Sequence, residues 1–236
     1  MRSAEFECKR KIAKLGKPVD KMEWGMTTPT VNAYYNPTTN EIAFPAGIMQ
    51  VPFFDFYADD AFNYGVMGSI IGHELTHGFD DQGSQFDSEG NLKMWWTPED
   101  NKNFMERKKP IITQFNSFVA IDTLRVNGEL TQGENIADLG GLTMAYYAYK
   151  KSLNGQKSPI MSGFTGEQRF FMAWAQGWKN LAREAAEKQL LATDPHAPGK
   201  FRGFAPLTNM KEFYEAFNIK ETDLMYRKPE LRVEIW

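Results

Sequence analysis

Residues 59–79, Asp-Asp-Ala-Phe-Asn-Tyr-Gly-Val-Met-Gly-Ser-Ile-Ile-Gly-His-Glu-Leu-Thr-His-Gly-Phe, carry apolar groups at helical spacing and contain His73-Glu74-Leu75-Thr76-His77. On a helix, positions i and i+4 share one face a turn apart, so His73 and His77 can share a single metal ion. Neutral imidazole at roughly 2.0–2.1 Å suits Zn²⁺, and Glu74 is the residue type that takes a proton from an attacking water as general base. The plain alternative is an exposed helix with two coincidental histidines. The chain has only 3 histidines, and two of them fall in this motif within an otherwise apolar segment, which argues against coincidence.

A catalytic zinc needs a third protein ligand and an open fourth position. The extension HExxHxxGxxH is absent: Gly78-Phe79-Asp80-Asp81 follows, with no histidine nearby. A glutamate on a second helix would serve. Gly133-Glu134-Asn135-Ile136-Ala137-Asp138 offers Glu134 and Asp138 at i, i+4, facing one way from the start of a helix. One could bind metal while the other accepts the outer N–H of a zinc-ligating histidine and fixes its tautomer. The same residues also read as local structure, since Thr131-x-x-Glu134 is a capping box and acids near a helix N-terminus are ordinary. Spacing alone leaves both readings open.

Outward from these motifs, Thr30–Tyr35 and Glu41–Phe44 are short β-prone runs joined by the turn-forming Asn36-Pro37-Thr38-Thr39-Asn40. Gly83–Trp96 reads as loop with a short extended piece. Thr97-Pro98-Glu99-Asp100 starts a helix that should reach about Phe118, with a kink or break at Pro110. Thr131 opens a helix to roughly Ser152. Thr165 opens another, with Phe170, Phe171, Trp174 and Trp178 on its buried side, to about Leu191. Asp194–Arg202 reads as a Pro/Gly loop and Met210–Phe217 as a last short helix. The fold class is α+β, mainly α: helices with a few short strands.

The chain's 236 residues can bury a real core without disulfide staples. A net charge of −3 argues against a nucleic-acid binder driven by positive charge. Cys8 is the single cysteine, so no intrachain disulfide and no cysteine-based metal cluster can form. No stretch reaches the roughly 18 apolar residues of a membrane helix. The N-terminus alternates charges without an apolar h-region, so it reads as a cut inside a longer chain rather than a signal peptide.

Four motifs, HELTHGFDDQG, GENIADLGG, VNAYYNP and DPHAPGKFR, together resemble the neprilysin and endothelin-converting enzyme family of zinc endopeptidases, bacterial oligopeptidase branch. The resemblance runs over essentially the whole chain, to Arg232-Val233-Glu234-Ile235-Trp236. It implies His73, His77 and Glu134 as ligands of one Zn²⁺ per chain, with Glu74 as general base. Asp138 would orient His73 and Asp80 would support His77. Asn32 and Ala33 match a substrate-binding pair that holds peptide backbone in an extended pose; without the resemblance they read as the end of an edge strand.

His196 matches a histidine that stabilises the oxyanion in the transition state. By itself a lone histidine in a Pro/Gly loop reads as a surface residue. Arg202 matches an arginine that binds peptide carbonyls; otherwise it reads as a solvated loop charge. Ile48, Phe53, Ile70 and Trp178 match positions lining an apolar S1′ pocket, although periodicity alone makes them core residues.

The resemblance implies a thermolysin-like zincin (gluzincin) catalytic domain that hydrolyses oligopeptides on the amino side of hydrophobic residues. Family enzymes are far longer, with an N-terminal helical lobe that closes over the cleft. Residues 1–236 are therefore expected to be the C-terminal catalytic domain of a longer protein, monomeric, with self-association through any apolar surface the lobe would cover. The single cysteine contrasts with the disulfides of the family's extracellular animal members and points to a bacterial source, while the compartment stays open. The rival from another class is a non-catalytic zinc-stabilised interaction module. Intact Glu74 argues against it, because a structural site needs no general base. A second rival is a fragment inert without its lobe.

Overall fold

The computed structural model describes residues 2–235; Trp236, where the C-terminal resemblance ends, lies outside them. The chain opens with α1 (Arg2–Ile12), a charged helix with no buried residue. The expected hairpin forms as β1 (Tyr34–Asn36) and β2 (Glu41–Ala43), antiparallel, with Tyr35 opposite Ile42. Regular pairing starts only at Tyr34, so Asn32 and Ala33 lead into the strand rather than lie within it.

The segment that holds both motif histidines is one helical run in three parts. It comprises α2 (Asp60–Asn63), a π-turn at Tyr64–Gly68 and α3 (Ser69–Thr76), closed by a 3-10 turn at His77–Phe79. Asp59 caps it by accepting a hydrogen bond from the Phe62 amide at 3.3 Å. The π-turn has no signature in the apolar spacing.

Next come α4 (Pro98–Arg107) and α5 (Lys109–Asn116), with the break at Lys108. Pro110 lacks the amide that would continue the ladder, which is why the expected single helix divides there. Thr97 caps α4 through the Asp100 amide at 3.1 Å. A second small hairpin, β3 (Val119–Ile121) with β4 (Leu124–Arg125), turns at Asp122 and was not anticipated from the sequence.

α6 (Gln132–Ser152) is the central helix, and much of its length is buried, from Asn135 to Tyr149. Of the two readings left open at its start, the capping box does not form. Thr131 Oγ1 instead donates to the Asn127 carbonyl at 2.9 Å and accepts from Asn135 Nδ2 at 2.9 Å. Glu134 is thereby left free of a capping role.

α7 (Gly166–Gly177) has the full capping box: the Gln168 amide donates to Thr165 Oγ1 at 3.2 Å, and the Thr165 amide donates to Gln168 Oε1 at 3.0 Å. It ends fourteen residues before the expected Leu191, and α8 (Glu184–Thr193) follows separately. Gly177 weakens the helix, and α8 buries no residue that would hold a longer one to the core. α9 (Gly199–Phe204) begins inside the stretch expected as loop, directly after Pro198, so Arg202 is helical. α10 (Lys211–Phe217) completes the set.

The main core gathers Phe115, Leu142, Tyr149, Phe170, Phe171 and Trp174 between α5, α6 and α7. A smaller cluster of Ala33, Ile48 and Met67, with Phe53 and Ile70 against it, lies beside the hairpin. α3 packs along α6 through glycines. A Cβ on Gly72 would lie 2.8 Å from Gly141 Cα, and one on Gly140 would lie 2.7 Å from Thr76 Oγ1. Only hydrogen at these positions allows the two helices so near an approach. The result is a mainly helical domain with two short hairpins.

Candidate active site

The glycine seam brings His73 and His77 of the helical run at residues 60–79 against Glu134 of α6. His73 Nε2 is 3.0 Å from His77 Nε2 and 3.2 Å from Glu134 Oε2, and His77 Nε2 is 3.7 Å from Glu134 Oε1. Each outer ring nitrogen faces a carboxylate, His77 Nδ1 through a hydrogen bond and His73 Nδ1 by proximity alone. His77 Nδ1 donates to Asp80 Oδ2 at 2.7 Å, and His73 Nδ1 lies 2.9 Å from Asp138 Oδ1. Asp80 is itself held by the amides of Gln82 and Gly83, both at 2.8 Å.

The bond to Asp80 selects the tautomer of His77, and the adjacent Asp138 carboxylate favours the same tautomer of His73. With Nδ1 protonated toward a carboxylate, each Nε2 carries a lone pair. Two lone pairs and a carboxylate then converge, with ligand atoms within 4.8 Å of one another. Such acceptors facing each other repel unless a proton or cation sits between them. Two imidazoles and one carboxylate suit Zn²⁺, so the residues fit the metal that the motif implies.

The electrostatics agree with a cation-binding pocket. Burial disfavours the charged form of His73, but Asp138 and Glu134 outweigh it and push the pKa up to about 9. Burial likewise opposes the charge on Glu134, and His196, His73 and Arg202 overcome it and hold the carboxyl well below its ordinary range. Glu74 is buried beside the histidines, and burial is the main cause of its raised pKa.

One cleft of about 880 Å³ runs past these groups. Its wall includes Asn32, Ala33, Ile48, Phe53, Ile70, Trp178, His196 and Arg202 together with His73, Glu74, His77 and Glu134. Ile48 and Ala33 are also buried in the small cluster beside the hairpin, so the core reading and the lining reading of these apolar residues coexist. His196 is half-exposed in the cleft, with Nδ1 2.7 Å from Asp194 Oδ1 and Nε2 3.2 Å from Glu134 Oε1.

Arg202 is not a solvated loop charge. It is buried on α9, where Nε and Nη2 donate to Asp138 at 2.7 Å each and Nη2 reaches Glu134 Oε2 at 3.3 Å. This pairing, across 64 residues of sequence, was not anticipated. Nor was the bond from Trp174 Nε1 to the Arg202 carbonyl at 3.2 Å. No local pattern encodes either contact. Gly72 in α3 and the Gly140-Gly141 pair in α6 were available signals of a close helix crossing.

With this geometry in view, the relatives are informative. The profile of Peptidase family M13 matches residues 32–233. An endothelin-converting enzyme homolog of Locusta migratoria is 44% identical over 239 residues, covering 100% of this chain and 32% of the relative. A neutral endopeptidase of Lactococcus lactis is 43% identical over 227 residues, 96% of this chain and 34% of its own length. Among solved structures, the zinc metalloprotease ZMP1 of Mycobacterium tuberculosis, in complex with an inhibitor, superposes with a TM-score of 0.95 at 48% identity. That match covers 98% of this chain and 36% of the other. The chain thus spans about a third of the length of these relatives.

Proposed function

Since the chain belongs to peptidase family M13, we propose that it is the catalytic portion of a zinc endopeptidase that hydrolyses oligopeptides on the amino side of hydrophobic residues. The observation that carries this reading is the convergence of His73 Nε2, His77 Nε2 and Glu134, with Glu74 in the same cleft. One Zn²⁺ per chain, held by these three residues, would supply Lewis acidity toward the scissile carbonyl and the attacking water.

The remaining chemistry belongs to this chain's own side chains. Asp138 and Asp80 hold the histidine rings in register and keep their outer nitrogens protonated. Glu74 accepts the water's proton and passes it to the departing amine. Burial raises its pKa toward working pH, where a general base is most effective. His196 donates from Nε2 to the developing oxyanion, and the neighbouring Glu134 raises its pKa. Asn32 and Ala33 hold the substrate backbone, and Arg202 binds a peptide carbonyl. Ile48, Phe53, Ile70 and Trp178 receive the hydrophobic side chain.

Oligopeptides are then the partners, and no described helix is long and apolar enough to cross a membrane. Exposed Val51, Phe56 and Tyr57 are apolar surface that a further lobe would cover, with the protein a monomer. The single cysteine favours a bacterial source.

Substitution separates base from ligand. Glu74→Gln should keep zinc and lose hydrolysis, since an amide accepts no proton, whereas His77→Phe should abolish tight zinc binding. Peptide cleavage by Glu74→Gln at the parent rate would end this mechanism.

A further inference from the structure

Trp174 of α7 and Trp178, the residue just past its end, converge on one arginine of α9. Trp174 Nε1 donates to the Arg202 carbonyl at 3.2 Å, while Arg202 Cζ sits 3.9 Å from the ring centroid of Trp178. The two indoles meet edge to face, with centroids 5.2 Å apart. The backbones are equally close: a Cβ on Gly199 would lie 2.7 Å from the Trp178 carbonyl oxygen. α9 therefore starts directly against the residue whose ring covers its arginine.

The Trp178 indole N–H is buried and makes no hydrogen bond within the described residues. A buried indole normally finds a partner for its N–H. Here the ring's face, and not its donor, is what the surroundings use. The guanidinium carbon lies over the ring face, and that contact limits how the guanidinium can turn. Its Nε and Nη2 are engaged by Asp138 and Glu134.

We propose that Trp178 is a positioning residue for the metal-site carboxylates: its ring clamps Arg202, and Arg202 holds Asp138 and Glu134 aimed at the two histidines. This rests on His73, His77 and Glu134 being the zinc site, and it is independent of which peptides are cut. It differs from the lining role, in which Trp178 meets only a substrate side chain. A residue that merely lines a pocket has no means of altering metal affinity.

The test is Zn²⁺ affinity on the full chain, read by competition with a chromophoric chelator. Trp178→Leu should weaken binding by ~10-fold, the lower end of the loss seen for outer-sphere partners of a metal ligand. Trp178→Phe keeps a ring face and should restore most of the affinity. Parent-like affinity in Trp178→Leu overturns the proposal, and so does an equal loss in the leucine and phenylalanine variants.

Should the leucine variant fail to fold, the parent protein carries the test by ¹⁵N spectroscopy. The Arg202 Nε–H signal should be ring-current shifted and protected from exchange; a signal at the position of a free arginine, exchanging at the solvent rate, overturns the clamp. His77→Phe distinguishes the two levels of failure. Unweakened zinc there removes the site reading and the clamp with it. Lost zinc there, with parent-like zinc in Trp178→Leu, removes the clamp alone.

Discussion

Gly141 of α6 lies so near His73 of α3 that a Cβ built on it would be 2.4 Å from the His73 amide nitrogen and 2.8 Å from its Cα. The helix that carries Glu134 and Asp138 thus touches the backbone of the helix that carries the histidines.

Gly141→Ala should therefore separate the helices at the site itself. Because the obstructing atoms are backbone, relief requires moving a helix, with a stability loss of about 1–3 kcal/mol for overpacking. Zinc affinity should fall with it. Gly68→Ala is the control, since its Cβ would meet nothing nearer than the Tyr64 ring at 3.4 Å. Thermal unfolding and chelator competition on both variants decide the matter; an unperturbed zinc site in Gly141→Ala would show that the seam does not set the ligand geometry.

Zinc binding should be linked to pH through His73. Its pKa in the metal-free fold is pushed up to about 9, above the ordinary 6.5, so between those values the folded site holds a proton that the metal must displace. Affinity should rise up to tenfold per pH unit at every pH below about 9 and then level off. The stability of the metal-free protein moves oppositely. The raised pKa contributes stability that is fully present below pH 6.5 and is lost as pH rises through about 9. Calorimetry with excess zinc and with chelator should find the gap in Tm widening over this window. A constant gap would remove His73 as the linked proton.

Asp138→Ala should be harsher than the loss of an ordinary outer partner. It releases His73 Nδ1 and also takes from the buried Arg202 guanidinium its two shortest bonds, both 2.7 Å, leaving it only the 3.3 Å bond to Glu134. We expect zinc affinity to drop by ~10–100-fold and folding stability by about 3–5 kcal/mol, the cost of breaking a buried ion pair by removing one partner. The companion Asp138→Ala/Arg202→Met should regain part of the stability but not the zinc affinity. Denaturant unfolding of the pair of variants measures the difference.

His196→Gln addresses the oxyanion role. If Nε2 donates chiefly in the transition state, kcat should fall by ~10²–10³-fold with little change in KM. Zinc content should stay at the parent level, since His196 is not among the three converging ligands. Undiminished kcat would leave His196 as a surface histidine tied to Asp194.

The sequence by itself determined what repeats within a turn or two of chain. The i, i+4 pair His73 and His77, the capping of α4 by Thr97 and of α7 by Thr165, and the break at Pro110 were legible because helix geometry relates near neighbours. The hairpin at residues 34–43 was legible from its turn. Tertiary structure decided the rest. Whether Thr131 capped its helix or left Glu134 free depended on Asn127 and Asn135 competing for its hydroxyl. The end of α7 at Gly177 depended on the next segment having no buried face to extend it. Arg202 read as a loop charge because its partner lies 64 residues away, on a helix whose approach no local pattern encodes. Spacing along one helix can align two ligands; bringing a third from another helix takes the packing of glycine against backbone.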